Sequence, residues 1–204
     1  MSIINPITYY NNDINLTDSQ IPDIVDAWQA IYEDKVMEML LGYELYTLYK
    51  ADLVTTGTVD EPTAQRFIDL VDGKEFTFNV AGYSVTKKFK GLRDKDVKKS
   101  LVAYYVYYMY RNEVESFNSG TGQAISKKEN AENVSVIPKL ISVWNTFAEW
   151  YGLTPDELVC NEYFLSNGNY VHYNALPSAY NFLLANLTTY PEWVFEPVGY
   201  KNIW

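Results

Sequence analysis

The chain has 204 residues and a formal charge of −10, with 48% hydrophobic and 16% aromatic residues. This composition supports one domain with its own core and excludes a globally disordered chain. The negative balance argues against a general nucleic-acid binder. The single cysteine, Cys160, rules out an intrachain disulfide and points to a reducing compartment.

The opening MSIINPITYYNND lacks a basic run and a long apolar run, so no signal peptide is expected. Residues 1–16 read as an extended arm, broken by Pro6 and Asn11-Asn12-Asp13. A helix begins near Thr17–Asp18 with Pro22 in its first turn. Helical spacing continues from Asp34 to Leu53, with Val36, Leu40, Leu41, Leu45, Leu48 and Tyr49 expected on the buried side. Gly42 is a soft spot in it, worth about 1 kcal/mol against alanine. Thr55–Thr58 is a turn, and Asp60-Glu61-Pro62 opens a short helix to about Val71.

Residues 74–90 change period. Phe76, Phe78 and Val80 alternate, Ala81-Gly82 turns, and Tyr83 and Val85 alternate again. A lone hairpin is marginal in water, so this one must lean on helices or pair with a neighbour. Lys87, Lys88 and Lys90 line its second strand. The next helix is expected over Asp94–Phe117. Its stretch Leu101–Tyr110, LVAYYVYYMY, is uncharged and apolar on every face. Such a helix must be covered all round, by core or by core and partner together.

Asn118–Gly122 ends that helix, and a polar loop carrying Lys127 and Lys128 runs to about Asn133. A second long helix spans Val136 or Pro138 to Tyr151, stopped at Gly152. Thr154-Pro-Asp-Glu157 resembles a capping box opening a short helix through Phe164, with Cys160 on it. The last helix starts at Ser178 and ends near Thr188. The tail YPEWVFEPVGYKNIW is aromatic and non-helical, and lies on the protein's own surface or on a neighbour's. The fold expected is mainly α: a helical bundle with one β-hairpin and extended N- and C-terminal arms. Its divisions are 1–16, 17–189 and 190–204.

Little chemistry is visible. One histidine, His172, excludes a multi-histidine metal site and weakens a histidine relay. The acidic pairs Glu33/Asp34, Glu129/Glu132 and Asp156/Glu157 each have a structural explanation. Gly120-Thr-Gly122 lacks the context of a phosphate loop. No catalytic, metal or cofactor residue is nominated. Charge, however, is segregated. Residues 1–83 carry −10, residues 84–111 carry +6 and residues 112–204 carry −6. A basic middle between acidic flanks can dock onto an acidic neighbour, including another copy of the chain.

The block from Tyr104 to Ser135, followed by a helix ending FAEWYG, resembles the head–tail connector proteins of crAss-like and related Bacteroidetes phages. Tyr104–Tyr110 matches a tyrosine-rich helix, Ser119–Gly122 a TGTG-like turn, Lys127–Lys128 a basic loop and Glu129–Asn130 an "EN" element. Tyr190–Gly199 matches a YPxWxFxPxG run. The resemblance covers roughly residues 20–204 and implies a structural virion protein, made in the host bacterial cytoplasm and placed in the phage neck. It implies a ring of twelve copies beneath the portal, continuing the DNA channel and meeting tail proteins. DNA would pass through without sequence-specific binding, and no membrane or cofactor is implied. Candidate contact residues are Lys87, Lys88, Lys90, Gly120, Thr121, Gly122, Lys127, Lys128, Trp193, Phe195 and Trp204. The competing class is a monomeric protein-binding module or host-interaction factor using the tyrosine-rich surface. A small enzyme is a third class, with no residues to nominate.

Overall fold

A computed structural model describes residues 2–16, 28–80, 83–114, 116–119, 122–125, 137–152, 160–164, 170–174, 177–199 and 201. In chain order they form α1 (Pro6–Tyr9), a 3-10 turn (Asn12–Ile14), α2 (Ala30–Asp52), β1 (Leu53–Thr56), β2 (Val59–Pro62), α3 (Gln65–Asp72), β3 (Lys74–Val80) and β4 (Tyr83–Phe89). There follow β5 (Arg93–Asp94), β6 (Lys99–Ser100), α4 (Leu101–Val114), β7 (Ser116–Ser119), β8 (Gly122–Ile125), α5 (Ile137–Tyr151), β9 (Cys160–Phe164), β10 (Tyr170–Asn174) and α6 (Ala179–Ala185). Helices supply most of this regular structure, so the fold is mainly α. The described strands form five separate antiparallel pairs, where the sequence pattern marks one.

The uncharged stretch is a core post. Every residue from Leu101 to Tyr108 is buried, as is Tyr110. α4 packs against α5 on one side and α2 on another. The Tyr105 ring meets Trp144 and Phe147 of α5 at 6.4 and 5.1 Å, and Tyr32 of α2 at 6.2 Å. Buried tyrosines need partners for their hydroxyls. Tyr104 donates to Asp13, and the Tyr108 hydroxyl receives the Lys201 ammonium. The five tyrosines of Leu101–Tyr110 therefore belong to the chain's own core.

α4 starts later than its hydrophobic period implies. Residues 93–100 make a tight ladder, pairing Arg93 with Ser100 and Asp94 with Lys99. Asp94 Oδ1 accepts the Asp96 and Val97 amides at 3.0 and 3.2 Å, holding the turn. Ser100 Oγ then accepts the Val102 amide at 3.2 Å. Lys95, Lys98 and Lys99 thus precede the helix. They do not oppose its macrodipole, as they would in the first turns of a helix that began at Asp94.

Three other expected elements differ. Residues 53–62 fold as the β1–β2 hairpin, turning at Gly57. The helix after it begins only at Gln65, because the Asp52 carboxylate takes the Thr63 and Ala64 amides at 2.8 Å each. Residues 116–119 and 122–125 form the β7–β8 pair where the end of a helix and a loop were expected. Cys160 stands on a strand, paired with Asn174, and the short helix expected through Phe164 gives way to β9. The hairpin expected at 74–90 is present, in the register Lys74–Phe89 to Val80–Tyr83. It leans on a helix: Phe76 and Phe89 pack on Phe182 of α6 at 5.9 and 4.9 Å.

The N-terminal segment is not an extended arm. Ile3, Ile4, Tyr9, Tyr10, Ile14 and Leu16 are buried in the common core. Its main chain is held on both sides of one residue. The Ile3 amide donates to Glu33 Oε1 at 3.0 Å, and the Ile3 carbonyl accepts from Arg93 at 2.6 Å. Arg93 is 2% exposed and also binds Asp72 at 2.9 Å and Glu61. Paired in this way, a buried guanidinium is tolerable. No described helix is long and apolar enough to cross a membrane.

Candidate interaction surfaces

The C-terminal tail is fixed by a break in α2. Gly42 sits at φ 74, ψ 161, outside helical geometry. An i to i+4 helix bond depends on the torsions of the three residues between its ends. A break at 42 therefore frees the carbonyls of Met39, Leu40 and Leu41. The tail takes these same three. The Glu196 amide donates to Met39, the Trp193 indole to Leu40 and the Val194 amide to Leu41, at 3.0, 2.8 and 3.3 Å. On its other side the tail binds α5. The Trp144 indole donates to the Gly199 carbonyl at 2.7 Å and the Tyr151 hydroxyl to the Glu196 carbonyl at 2.6 Å.

Two of the candidate contact residues lie on this tail. Trp193 and Phe195 are half-buried against their own chain, with Phe195 packed on Tyr151 and Tyr180 at 5.1 and 4.7 Å. Their rings are used in folding, and residues 190–199 lie along the protein's own surface. Lys88 and Lys90 are exposed and Lys87 is half-buried, all at the end of β4. Gly122 opens β8. Gly120, Thr121, Lys127, Lys128 and Trp204 lie outside the described residues.

Fixing the tail creates a surface. Tyr43 and Val194 flank the break and are 74% and 69% exposed. Glu44, next to Tyr43, and Glu196, two residues from Val194, are exposed, as is Glu38 about one turn before the break. None of the three makes an ion pair among the described residues. The sequence hinted at this patch: Tyr43 and Glu44 fall off the Leu40–Leu41–Leu45 face. It offered no means of placing Val194 beside them.

A groove of mixed charge lies elsewhere. A cavity of about 280 Å³ is lined by Lys90 and Lys99, by Asp94 and Glu149, and by Val97, Tyr104 and Trp150, among others. The Trp150 indole donates to the Gly91 carbonyl at 2.8 Å, fixing the groove wall. Val97 is half exposed. Lys99 is engaged by Asp13 at 2.9 Å, and the Tyr104 hydroxyl together with this pair holds the Asp13 carboxyl below its ordinary range. Lys90 has no such partner among the described residues.

A second cavity, of about 290 Å³, lies between α2 and the β1–β2 hairpin and is lined by Glu33, Asp34, Tyr46, Tyr49, Lys50 and Asp60, among others. Its polar groups mostly satisfy one another. Asp34 binds Lys50 at 2.9 Å and accepts from Tyr46 at 2.5 Å. Burial pushes the Glu33 carboxyl up, though its oxygens accept from Ile3 and Gln29. The Tyr49 hydroxyl is buried and has no hydrogen-bond partner among the described residues. Among the described residues, no group of three or more His, Cys, Asp or Glu side chains is placed to hold a metal. No protein-family model, curated protein or solved structure matches the chain.

Proposed function

We propose that the chain is a structural ring protein of a tailed-phage neck, lying between portal and tail and continuing the DNA channel. The observation that carries the reading is uncompensated charge of opposite sign on different parts of one fold. Lys88 and Lys90 stand exposed at the end of β4, while Glu38, Glu44 and Glu196 stand exposed around the α2 break. A heterologous contact repeated by rotation closes a ring, and opposite charge on its two halves guides and registers it. The resemblance of Tyr104–Asn130 and Tyr190–Gly199 to crAss-like connectors supplies the biological setting. An acidic chain also suits a channel that must let DNA slide, since like charge weakens phosphate contacts.

The test is mass in solution by light scattering, together with the protein content of purified virions. A ring gives a multiple of 23.6 kDa. It loosens near 1 M salt, where the screening length falls to about 3 Å. A chain that is monomeric at all concentrations and missing from virions overturns the reading. The exposed Tyr43–Val194 pair equally suits a monomeric protein-binding module, and that outcome would favour it.

A further inference from the structure

We propose that the cavity between the two halves of α2 and the β1–β2 hairpin binds a small organic ammonium compound, with its ammonium on the Tyr49 hydroxyl and the Glu33 carboxylate and its apolar stem on Met37 and Leu53. The site lies within one copy, so this inference does not rest on the ring reading.

Three observations carry it. The first is how the cavity is made. In a straight helix Asp34 and Lys50 would stand about 24 Å apart along the axis. They are paired at 2.9 Å, and the Tyr46 hydroxyl donates to Asp34 at 2.5 Å. The Gly42 break therefore folds α2 back on itself, and residues from both halves line one cavity of about 290 Å³. An apolar cavity about half that size holds benzene, so a ligand of several non-hydrogen atoms fits here.

Second, two groups on the wall of this cavity are buried without the partners that burial demands. Tyr49 is 2% exposed, and its hydroxyl has no hydrogen-bond partner among the described residues. Burial, and after it the Glu33 charge, push that hydroxyl well up from its ordinary range, so the two groups lie within each other's field. Glu33 is buried too, and no described cation pairs with it. Its oxygens accept from Ile3, Gln29 and Ser2, which leaves room for one more donor on a carboxylate that accepts about four. An ammonium answers both deficits. It donates to the Tyr49 oxygen and to the carboxylate, and it offsets the cost of a buried charge. An anion would add to that cost, and a neutral ligand would leave it uncompensated.

Third, the mouth of the same cavity shows the arrangement already in use. Lys50 and Asp34 are half exposed there, and the Lys50 ammonium stands 5.3 Å from the centre of the Tyr46 ring while it pairs with Asp34. One carboxylate and one tyrosine thus hold one ammonium. Glu33 and Tyr49 repeat the combination deeper in, and the Tyr46 and Tyr49 rings stack at 6.4 Å. Aromatic faces attract a cation further. Buried Met37 and half-buried Leu53 give the stem an apolar wall.

The experiment titrates the full chain with n-butylammonium by calorimetry, with n-butanol and butyrate as probes of the same stem. Butylammonium should bind saturably at one site per chain and raise the melting temperature. The alcohol and the acid should bind at least about tenfold more weakly. Tyr49→Phe keeps the ring and loses only the oxygen. It should keep the wild-type circular dichroism and weaken ammonium binding by about tenfold. Glu33→Gln should remove the preference for ammonium over alcohol; should that variant fail to fold, Tyr49→Phe and the three probes carry the test. Tyr43→Ser, outside the cavity, should bind as wild type does, which separates this site from the acidic surface at large. No saturable binding of butylammonium to wild type, equal binding of butanol, or wild-type affinity in Tyr49→Phe overturns the proposal. None of these results bears on mass in solution, which tests the ring reading separately.

Discussion

Gly42→Ala sets two expectations of opposite sign against each other. By helix propensity alone, alanine at an interior helix position gains about 1 kcal/mol over glycine. The geometry of the break reverses that. Gly42 lies at φ 74, ψ 161, a region essentially reserved for glycine, where another residue costs about 1–3 kcal/mol. A Cβ at this position would stand 2.9 Å from both the Cβ and the carbonyl oxygen of Val194, so the tail would have to move. Moving it forfeits the bonds to Met39, Leu40 and Leu41, each worth about 0.5–1.5 kcal/mol. Together the loss is about 3–7 kcal/mol, a large part of the roughly 5–15 kcal/mol that holds a typical domain. With a urea dependence of about 1–3 kcal/mol per molar, the midpoint should fall by at least about 1 M. Urea titration followed by tryptophan fluorescence reads this directly, since Trp193 sits at the break. A midpoint equal to or above wild type would mean that α2 runs straight through residue 42 and that the tail is not bound there.

Asp72 is held below the ordinary carboxylate range: burial works against its charge, and the hydrogen bonds from Lys95 and Arg93 outweigh it. A lowered folded pKa contributes stability that is complete above the unfolded value, near about 3.9, and is lost as pH falls through the folded one. Asp72→Asn should therefore cost about 1–3 kcal/mol at neutral pH and flatten the acid limb of the stability profile; equal acid losses in variant and wild type would contradict this. Glu33 has the opposite sign, because burial raises its carboxyl. Its contribution falls as pH rises from the unfolded value, near about 4.3, through the raised folded one. The stability advantage of wild type over Glu33→Gln should thus shrink across that window, and a constant or widening gap would refute the assignment. Tyr49→Phe removes a buried hydroxyl without a partner among the described residues and should be neutral or stabilising by about 1 kcal/mol; a loss of similar size would reveal a partner for it.

The long helices were legible because their apolar periods are strong: Leu101–Tyr110 is buried almost throughout, the expected face of α5 has Phe147, Ala148 and Tyr151 buried with Leu140, Ile141 and Trp144 half-buried, and of the expected face of α2 only Leu48 is exposed. The 74–90 hairpin was legible from alternation. What escaped was set by contacts distant in sequence. Residues 93–100 carry no breaker strong enough to delay a helix, and the ladder there depends on Arg93 being drawn to Ile3, Glu61 and Asp72. Residues 160–164 pair with 170–174, and a capping-box signal upstream says nothing about that partner. The N-terminal segment looked extended because Pro6 and the asparagines break helix locally. Its burial comes from Glu33 and Arg93 gripping one residue from opposite sides. Gly42 is the clearest case. Composition marks it as a weak point, and only the tail shows that the weakness is used.

That use changes how the tail can be tested. An aromatic C-terminus invites the idea that its deletion would separate assembly from folding. Here deletion of residues 190–204 would uncap Met39, Leu40 and Leu41 and strip Tyr151 of its acceptor. It would also remove Tyr190, whose buried ring packs on Phe182 at 6.0 Å and whose hydroxyl binds the Arg66 carbonyl. Orphaned buried carbonyls and an opened aromatic core together cost more than a marginally stable domain can lose. A truncated chain that failed to assemble would therefore report unfolding and nothing about contacts. Point changes at side chains that fold nothing, Tyr43 and Lys90 first among them, are the substitutions that can tell an interface from a core.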